Sequence, residues 1–152
     1  MERVLDKTDW KILRALQEDA RRSYNELGRH VGLSGPAVAE RVRRLEESGV
    51  ITGYRATINP AKVGLPLMAF VRMTCSGELC VRKHVRTEEY PEVLELHRVS
   101  GGDCSMLKVV VASVEHLEAL IDRLAQYGQP ATALVLSSPI VQHSIDWERD
   151  EG

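Results

Sequence analysis

Apolar positions follow two different periods along the chain, helical in the first sixty residues and alternating in the rest. Ile12, Leu13, Leu16 and Ala20 have the i, i+1, i+4, i+8 spacing of one buried helical stripe. This spacing predicts a first helix between Asp6 and Ala20.

A second helix is predicted to begin after Ser23. Ser23 stands three residues before Glu26, which is capping-box spacing: each side chain can accept a hydrogen bond from the other residue's free backbone N–H. Leu27 and Val31 supply a short apolar face, and Gly32 can adopt the left-handed conformation that ends helices.

A third helix is predicted to begin only two residues later. Ser34 is a suitable N-cap, and Pro36 lies in the first turn, where a missing N–H costs nothing. Gly49 ends the helix, and its inward positions are Val38, Val42 and Leu45. Two helices joined by a tight turn at Gly32 form a helix-turn-helix, whose second helix can enter a DNA major groove.

The outer face of the third helix carries the candidate DNA-binding residues. The whole chain has a net charge of −2, but residues 21–44 contain six arginines and two glutamates. Arg41 ranks first, either for a guanine or for a phosphate, whereas Arg43 and Arg44 are expected at phosphates. Gly35, Ala37 and Glu40 are small or polar. A three-helix bundle with a solvated arginine-rich face fits the same periodicity.

The next segment is predicted to be a wing followed by a hinge. Residues 50–58 are rich in β-branched and aromatic side chains around a glycine, which favours a strand or small hairpin. Residues 59–66 contain two prolines and a glycine. The predicted organisation is therefore a DNA-binding domain over 1–58, a linker over 59–66 and a second domain over 67–152.

The second domain alternates strands with helices. Leu67–Cys75 is apolar on both alternating faces, and Ser113 precedes a well-spaced helix over 114–126. The other predicted elements are a weaker helix over 78–89, strands over 93–99 and 106–112, and a fourth strand over 131–136 and 139–145, broken at 137–139. The order βαββαβ predicts a ferredoxin-like sheet with both helices on one face.

The predicted fold class is therefore α+β, with an N-terminal winged helix-turn-helix and a C-terminal ferredoxin-like βαββαβ dimerisation domain. A sheet that is apolar on both faces, with helices for only one of them, predicts a two-fold dimer.

Composition limits the expected cellular location and the expected state of the cysteines. With 43% hydrophobic and 28% charged residues, the chain has no apolar run near the ~18 residues of a membrane span, and its first residues lack a secretory core, so a cytoplasmic protein is expected. Cys75, Cys80 and Cys104 have irregular spacing without a CxxC pair. We expect reduced structural thiols and no metal.

Several stretches of the chain resemble the Lrp/AsnC (feast/famine) family of transcriptional regulators. The similar stretches are Asp6 to Arg21, Leu33 to Tyr54, Asn59-Pro60, Tyr90 to Val93 and Val99 to Val109. The resemblance implies a RAM (ACT-like) sensing domain, dimers that often assemble into octamers or similar rings, binding of double-stranded DNA with bending or wrapping, and a small effector, usually an amino acid. It implies neither an enzyme nor a cofactor.

The resemblance also assigns residues to two sites. At the DNA-facing helix it places Ser34, Pro36, Ala37, Glu40, Arg41 and Arg44. At an effector pocket between neighbouring subunits it places Gly101, Gly102, Asp103, Cys104 and Ser105. Glycine N–H groups there could hold a carboxylate, and Asp103 an ammonium group. The commoner family pattern has acidic and aromatic residues where this chain has Cys104 and Ser105, which leaves the ligand open. A bare hairpin turn stabilised by Asp103 is the alternative.

Two other functions compete with DNA-binding regulation. A cysteine-dependent enzyme using Cys104 would need an activating base, and the spacing of His97, His116 and His143 commits none of them to that role. An amino-acid-binding module without a DNA role accounts for the second domain but leaves the arginine-rich third helix unexplained.

Overall fold

A computed structural model of the chain describes residues 5–75 and 80–147 and separates into two compact units. One unit contains the chain up to Ala56 together with the segment from Ile140 onward, and the other spans Thr57–Pro139. The segment predicted as a linker contains a short 3-10 helix, Pro60–Val63, whose N-cap Asn59 accepts a hydrogen bond from the N–H of Ala61.

Three helices form the first unit, and local signals determine where they begin and end. They are α1 (Lys7–Glu18), α2 (Tyr24–Val31) and α3 (Gly35–Glu47). Ser23 and Glu26 form the predicted capping box, Gly32 ends α2 with φ 75°, and the Ser34 hydroxyl caps α3. Their fully buried apolar side chains form one core: Ile12, Ala15, Leu27, Val38, Val42 and Leu45.

The predicted wing does not form a β-strand. The N–H groups of Val50 and Ile51 both donate to the carbonyl of Leu45, so this stretch first closes the end of α3. The residues that follow, up to Ile58, form no hydrogen-bonded ladder in the part of the chain that the structure describes. A β-branched sequence becomes a strand only when a neighbouring strand satisfies its backbone groups, and this segment has no such neighbour there.

The last described segment was also predicted to be part of a strand, and this prediction was wrong. Residues 140–147 leave the sheet and run along α1. The Gln17 side-chain amide donates to the carbonyl of Ile145 and accepts from its N–H, at 3.0 and 2.8 Å. Arg14 makes a two-point contact with the Asp146 carboxylate, 2.8 Å for each bond. These contacts satisfy the tail backbone in place of a β-ladder.

The second unit is a four-stranded antiparallel sheet with the predicted βαββαβ order. Its elements are β1 (Leu67–Thr74), α4 (Val81–His84), β2 (Val93–Arg98), β3 (Ser105–Val111), α5 (Val114–Ala125) and β4 (Gln129–Leu134). The spatial order β2-β3-β1-β4 puts β1 and β3 in the centre. The predicted ferredoxin-like arrangement is confirmed, although β4 ends at Leu134.

The first helix of this domain is shorter than the sequence predicted. α4 is a single turn, Val81–His84, and its predicted start at residues 78 and 79 lies outside the described residues. Only Val81 of this turn is fully buried. One buried apolar side chain supplies little packing energy, so the charged segment up to Glu89 forms only a single helical turn.

Alternation along the strands separates a packed face from an open one. The packed face joins the strands to α5 through Ala69, Val71, Met73, Leu107, Val109, Leu117, Leu120 and Leu124. On the opposite face, Phe70 pairs with Lys108 and Ala133 across the sheet and remains 38% exposed. Both helices cover one face only, as predicted.

A buried carboxylate ties α5 to the segment before β2. Glu92 is 8% exposed and accepts hydrogen bonds from His116 and Arg123. Burial raises the pKa of Glu92, but hydrogen bonds from its own backbone N–H and from His116, with the charge of Arg123, outweigh burial and hold the pKa below its ordinary value.

Candidate DNA-binding and effector sites

The helix-turn-helix depends on a close approach between α2 and the turn before α3. The carbonyl of Gly28 accepts a hydrogen bond from the N–H of Leu33 at 2.9 Å. A methyl group on Gly28 would come within 2.4 Å of the Leu33 carbonyl oxygen. The turn can therefore pack this closely only because residue 28 has no side chain.

The first turn of α3 presents a small and accessible surface. The Ser34 hydroxyl accepts from the N–H of Ala37, and Pro36 is exposed beside it. Val38 follows on the buried side. The turn projects no bulky side chain outward, so it leaves space for close approach to a base edge, as the sequence indicated.

Beyond the first turn, the exposed face of α3 carries a cluster of ion pairs. Arg43 contacts both Glu40 and Glu47, and Arg44 donates to Glu40 at 2.8 Å. Hydrogen bonds from Arg43 and then Arg44 lower the pKa of Glu40, so this carboxylate stays charged. The side chains of Arg43 and Arg44 are 55% and 59% exposed. Such solvent-exposed pairs contribute little stability and are easily exchanged.

Arg41 has different surroundings from the other two arginines. Its Nη1 lies 2.7 Å from a carboxylate oxygen of Asp6 and 2.8 Å from one of Asp9. The Asp9 side chain is 2% exposed, whereas Asp6 is largely solvated. Hydrogen bonds to Asp6 and then Asp9 raise the pKa of Arg41. Arg41 therefore links α3 to the beginning of α1.

In the second unit, four of the five predicted effector residues line one cavity of about 290 Å³. Gly101 has φ 111°, a conformation that favours glycine, and is exposed with Gly102 at the rim. Asp103 accepts from the Thr74 hydroxyl at 3.3 Å and lies 3.8 Å from Arg72. The fifth residue, Ser105, is fully buried at the beginning of β3.

The three cysteines converge at the same cavity. The Cys75 sulfur is in direct contact with the sulfurs of both Cys80 and Cys104, and the latter two are 3.5 Å apart. Because one sulfur can form only one disulfide bond, the two contacts of Cys75 cannot both be disulfides. Cys75, Cys80 and Cys104 together form a three-sulfur cluster.

Comparison with known proteins identifies the chain's relatives. An AsnC-type helix-turn-helix domain matches residues 5–46, and an Lrp/AsnC ligand binding domain matches residues 68–145. YezC of Bacillus subtilis strain 168, an HTH-type transcriptional regulator, is 43% identical over 88% of this chain and 95% of its own length. The chain belongs to the Lrp/AsnC family.

Solved structures agree with this assignment over both units of the Lrp/AsnC chain. Bacillus subtilis LrpC superposes with a TM-score of 0.85 at 34% identity, covering 92% of this chain and all of that one. A feast or famine regulatory protein from M. tuberculosis complexed with L-methionine gives 0.81 at 35% identity, covering 93% and 100%. The predicted family, fold class and function as a DNA-binding transcriptional regulator are confirmed.

The sequence of this Lrp/AsnC regulator indicated the residues of the two candidate sites unequally. Glu40, Arg43 and Arg44 lie together on α3 as predicted, and the turn around Asp103 does line a cavity. The cavity residues that sequence reasoning missed are Cys75, Cys80, Arg82, Arg98 and Val99. The signal that could have found Cys75 is strand register: Met73 pairs with Ser105, which brings the end of β1 beside residue 103.

The cysteine-enzyme hypothesis required a base beside Cys104. The three histidines considered for that role contact other groups: His97 contacts Glu95, His116 contacts Glu92, and His143 contacts the carbonyl of Ser144. The residues that do contact the Cys104 sulfur are Cys75, Cys80 and Ser105.

Within the described ranges, no helix is long and apolar enough to cross a membrane.

Proposed function

We propose that this Lrp/AsnC regulator binds double-stranded DNA by placing the first turn of α3 at base edges in a major groove. The observation that carries the proposal is a capped, accessible first turn, Ser34 to Ala37, on a helix whose opposite face is fixed by a buried core. A rigid helix with small N-terminal residues is suited to direct contact with bases.

Arg43 and Arg44 are proposed to hold the phosphates on either side of that turn. Both guanidinium groups are exposed, and their present partners are the exposed carboxylates of Glu40 and Glu47. Exchanging a weak surface ion pair for a phosphate releases counterions from the DNA, which favours binding at low salt. Glu40 would then lose its arginines, and its negative charge would oppose binding at an incorrect register.

Arg41 is proposed to act on DNA binding through α1 rather than by direct contact. Its guanidinium is already bonded to Asp6 and to the buried Asp9. Moving it to a base would leave the Asp9 carboxylate buried without this charge, which costs more than releasing an exposed partner.

A dimer of this chain is proposed to form on the open face of the sheet. That face combines Phe70 with Met68 and Met106, at a position that no helix of the described residues covers. A second copy would bury these side chains, and two-fold symmetry would present two α3 helices to DNA. The symmetry predicts half-sites about 34 Å apart, or a multiple of that spacing.

The cavity beside Gly101 is proposed to bind a free amino acid. Exposed glycine N–H groups can hold its carboxylate, and Asp103 can hold its ammonium group. Support comes from relatives: the M. tuberculosis regulator and a Neisseria meningitidis regulator, 26% identical with a TM-score of 0.81, are both described in complexes with L-methionine. The effector would bias the assembly or the DNA affinity of the regulator.

The DNA proposal is tested with duplexes from the region upstream of the protein's own gene. We expect salt-sensitive binding that is tighter for two half-sites than for one, and Arg44→Ala is expected to lower the salt slope by about one phosphate contact. Arg86→Ala in the second unit removes the same charge from an exposed site and serves as the control. Equal, salt-insensitive binding to an unrelated duplex would contradict the proposal and favour a sensor without a DNA role.

The effector proposal is tested by thermal unfolding of the full chain with a panel of amino acids, L-methionine included. At least one is expected to raise the unfolding temperature, and Asp103→Ala is expected to abolish that shift while leaving the fold intact. Glu118→Ala, which removes an exposed carboxylate from α5, is the matched control. A shift that survives in the Asp103 variant would place the binding site elsewhere.

A further inference from the structure

The three cysteines of this chain form one cluster in the folded protein, although Cys104 is 29 residues from Cys75 in sequence. Their sulfurs all lie within 4.8 Å of one another, on one wall of the cavity beside Gly102. Cys80 is 3% exposed, while Cys75 and Cys104 are half-buried. The cluster is thus partly shielded and also reachable from the cavity.

Three separate elements hold these cysteines in place. Cys75 follows the end of β1, Cys80 immediately precedes α4, and Cys104 immediately precedes β3. The backbone N–H of Cys104 donates to the carbonyl of Met73 at 2.8 Å, which fixes it against the central strand. The Cα of Cys75 lies 5.3 Å from that of Cys80 and 6.0 Å from that of Cys104. The fold therefore brings the sulfurs together through its own hydrogen bonds.

A set of three sulfurs differs chemically from a structural disulfide. A disulfide uses two sulfurs, and here Cys75 contacts both of the others, so any one disulfide would leave a third thiol beside it. Metal ions that prefer soft ligands are commonly bound by several thiolates. At a metal–sulfur distance of about 2.3 Å, tetrahedral ligands are about 3.8 Å apart. The sulfurs of Cys80 and Cys104, 3.5 Å apart, are close to that spacing, whereas Cys75 would have to move away from its direct contacts with both to admit an ion.

We propose that Cys75, Cys80 and Cys104 bind one thiophilic metal ion as three thiolates, with the fourth coordination position facing the cavity. The ion belongs to the class of Zn²⁺ and Cd²⁺, which take sulfur ligands in tetrahedral geometry. This activity is separate from DNA binding, and the site is the sulfur-bearing wall of the same cavity that is proposed to bind the amino acid.

Charges around the cluster suit this assignment. A divalent ion with three thiolates carries one net negative charge, and both Arg82 and Arg98 line the cavity beside it. Cationic side chains stabilise thiolates, the form that binds metal. Asp103, on the same turn, carries the opposite charge and is already in contact with Arg72 and Thr74.

The test uses the full chain, reduced with a phosphine and titrated without oxygen. Co²⁺ is the spectroscopic probe, because tetrahedral thiolate sites give intense sulfur-to-metal absorption, and Zn²⁺ and Cd²⁺ are then used to displace it. We expect one ion per chain. Replacing any one of the cysteines with Ser is expected to weaken binding by roughly 100-fold or more, since even outer-shell changes cost about 10–100-fold.

Thr132→Ala is the control, because it alters an exposed side chain of β4 without removing a sulfur, and it is expected to bind as the parent does. If a cysteine variant fails to fold, alkylation of the parent decides: bound metal is expected to protect all three thiols at once. Absence of a thiolate absorption band, or a disulfide that forms while no metal binds, would overturn the proposal. Neither result depends on DNA, so the test is separate from that of the proposed function.

Discussion

Gly28→Ala is expected to lower the free energy of unfolding of the N-terminal unit by about 2–3 kcal/mol and to weaken DNA binding with it. The new methyl group would lie 2.4 Å from the Leu33 carbonyl oxygen. That oxygen belongs to backbone, so relief requires moving the turn or tilting α3 away from α2. The same movement shifts the first turn of α3, which is the surface proposed to contact bases.

Helix propensity alone makes the opposite prediction, namely that Gly28→Ala stabilises the protein. Alanine at a helical glycine is worth up to about 1 kcal/mol of added stability where there is space. Gly35 is the matched control, since its added methyl would meet the Asn25 side-chain oxygen at 2.2 Å, and the end of a side chain can rotate away. We therefore expect Gly35→Ala to change stability by less than about 1 kcal/mol.

Denaturant unfolding of the two glycine variants measures the change in stability, and band-shift titration measures the change in DNA affinity. Parent-like stability of Gly28→Ala would show that the turn can shift freely and that α3 is not held by this contact. Loss of DNA binding without loss of stability would instead locate the effect in the orientation of α3 alone.

The sequence predicted this helix-turn-helix well because its signals are local. Ser23 and Glu26 are neighbours at the start of α2, and only Leu33 separates the C-cap Gly32 from the N-cap Ser34, so each interaction is complete within a few residues. Alternation along 67–74 was equally informative, since a period of two fixes which side chains share a face.

The features that the sequence did not predict depend on partners distant in the chain. The segment up to Ile58 has strand-forming residues, but the described chain offers it no neighbouring strand. The tail was expected to extend β4, yet Gln17 and Arg14 of α1 bind it instead. The three-sulfur cluster joins residues 29 positions apart through the pairing of β1 with β3, which cysteine spacing alone does not reveal.

Arg41 lies on the outer side of α3, as the sequence predicts, but its partners there are carboxylates of α1 and its N-cap. Its position on the outer side of α3 makes it the first candidate for DNA contact when only the sequence is considered. Its two partners, Asp6 and Asp9, are more than 30 residues away and become visible only once α1 packs on α3. An arginine on an exposed face has no sequence signal that distinguishes a phosphate from a carboxylate as its partner.

Arg41→Ala is expected to destabilise the N-terminal unit by about 2–3 kcal/mol, because it removes a guanidinium group that contacts the buried Asp9 carboxylate. We place the effect below that of fully buried pairs, since the Arg41 side chain is 30% exposed and water can partly replace it. Arg44→Ala, which removes an arginine from exposed pairs on the same helix, is expected to change stability by less than about 0.5 kcal/mol.

Lowering the pH should reduce the difference in the free energy of unfolding between Arg41→Ala and the parent. Partial burial raises the pKa of Asp6, but the N–H of Asp9 and the Arg41 guanidinium outweigh burial and hold the pKa below its ordinary 3.8. A carboxyl group with a lowered folded-state pKa stabilises the protein above its unfolded value and loses that contribution as the pH falls through the folded one. The stability deficit of Arg41→Ala should therefore be fully developed near neutral pH and shrink below about pH 4.

DNA binding then separates a structural role for Arg41 from base recognition. If Arg41 positions α3, Arg41→Ala weakens binding to all duplexes in proportion to its loss of stability, and low temperature restores much of the affinity. If Arg41 contacts a guanine, the variant keeps its stability and loses about 1–3 kcal/mol of preference at one base pair. The second result would contradict a role through Asp9, because a residue released from that carboxylate at no cost cannot be what holds α3 against α1.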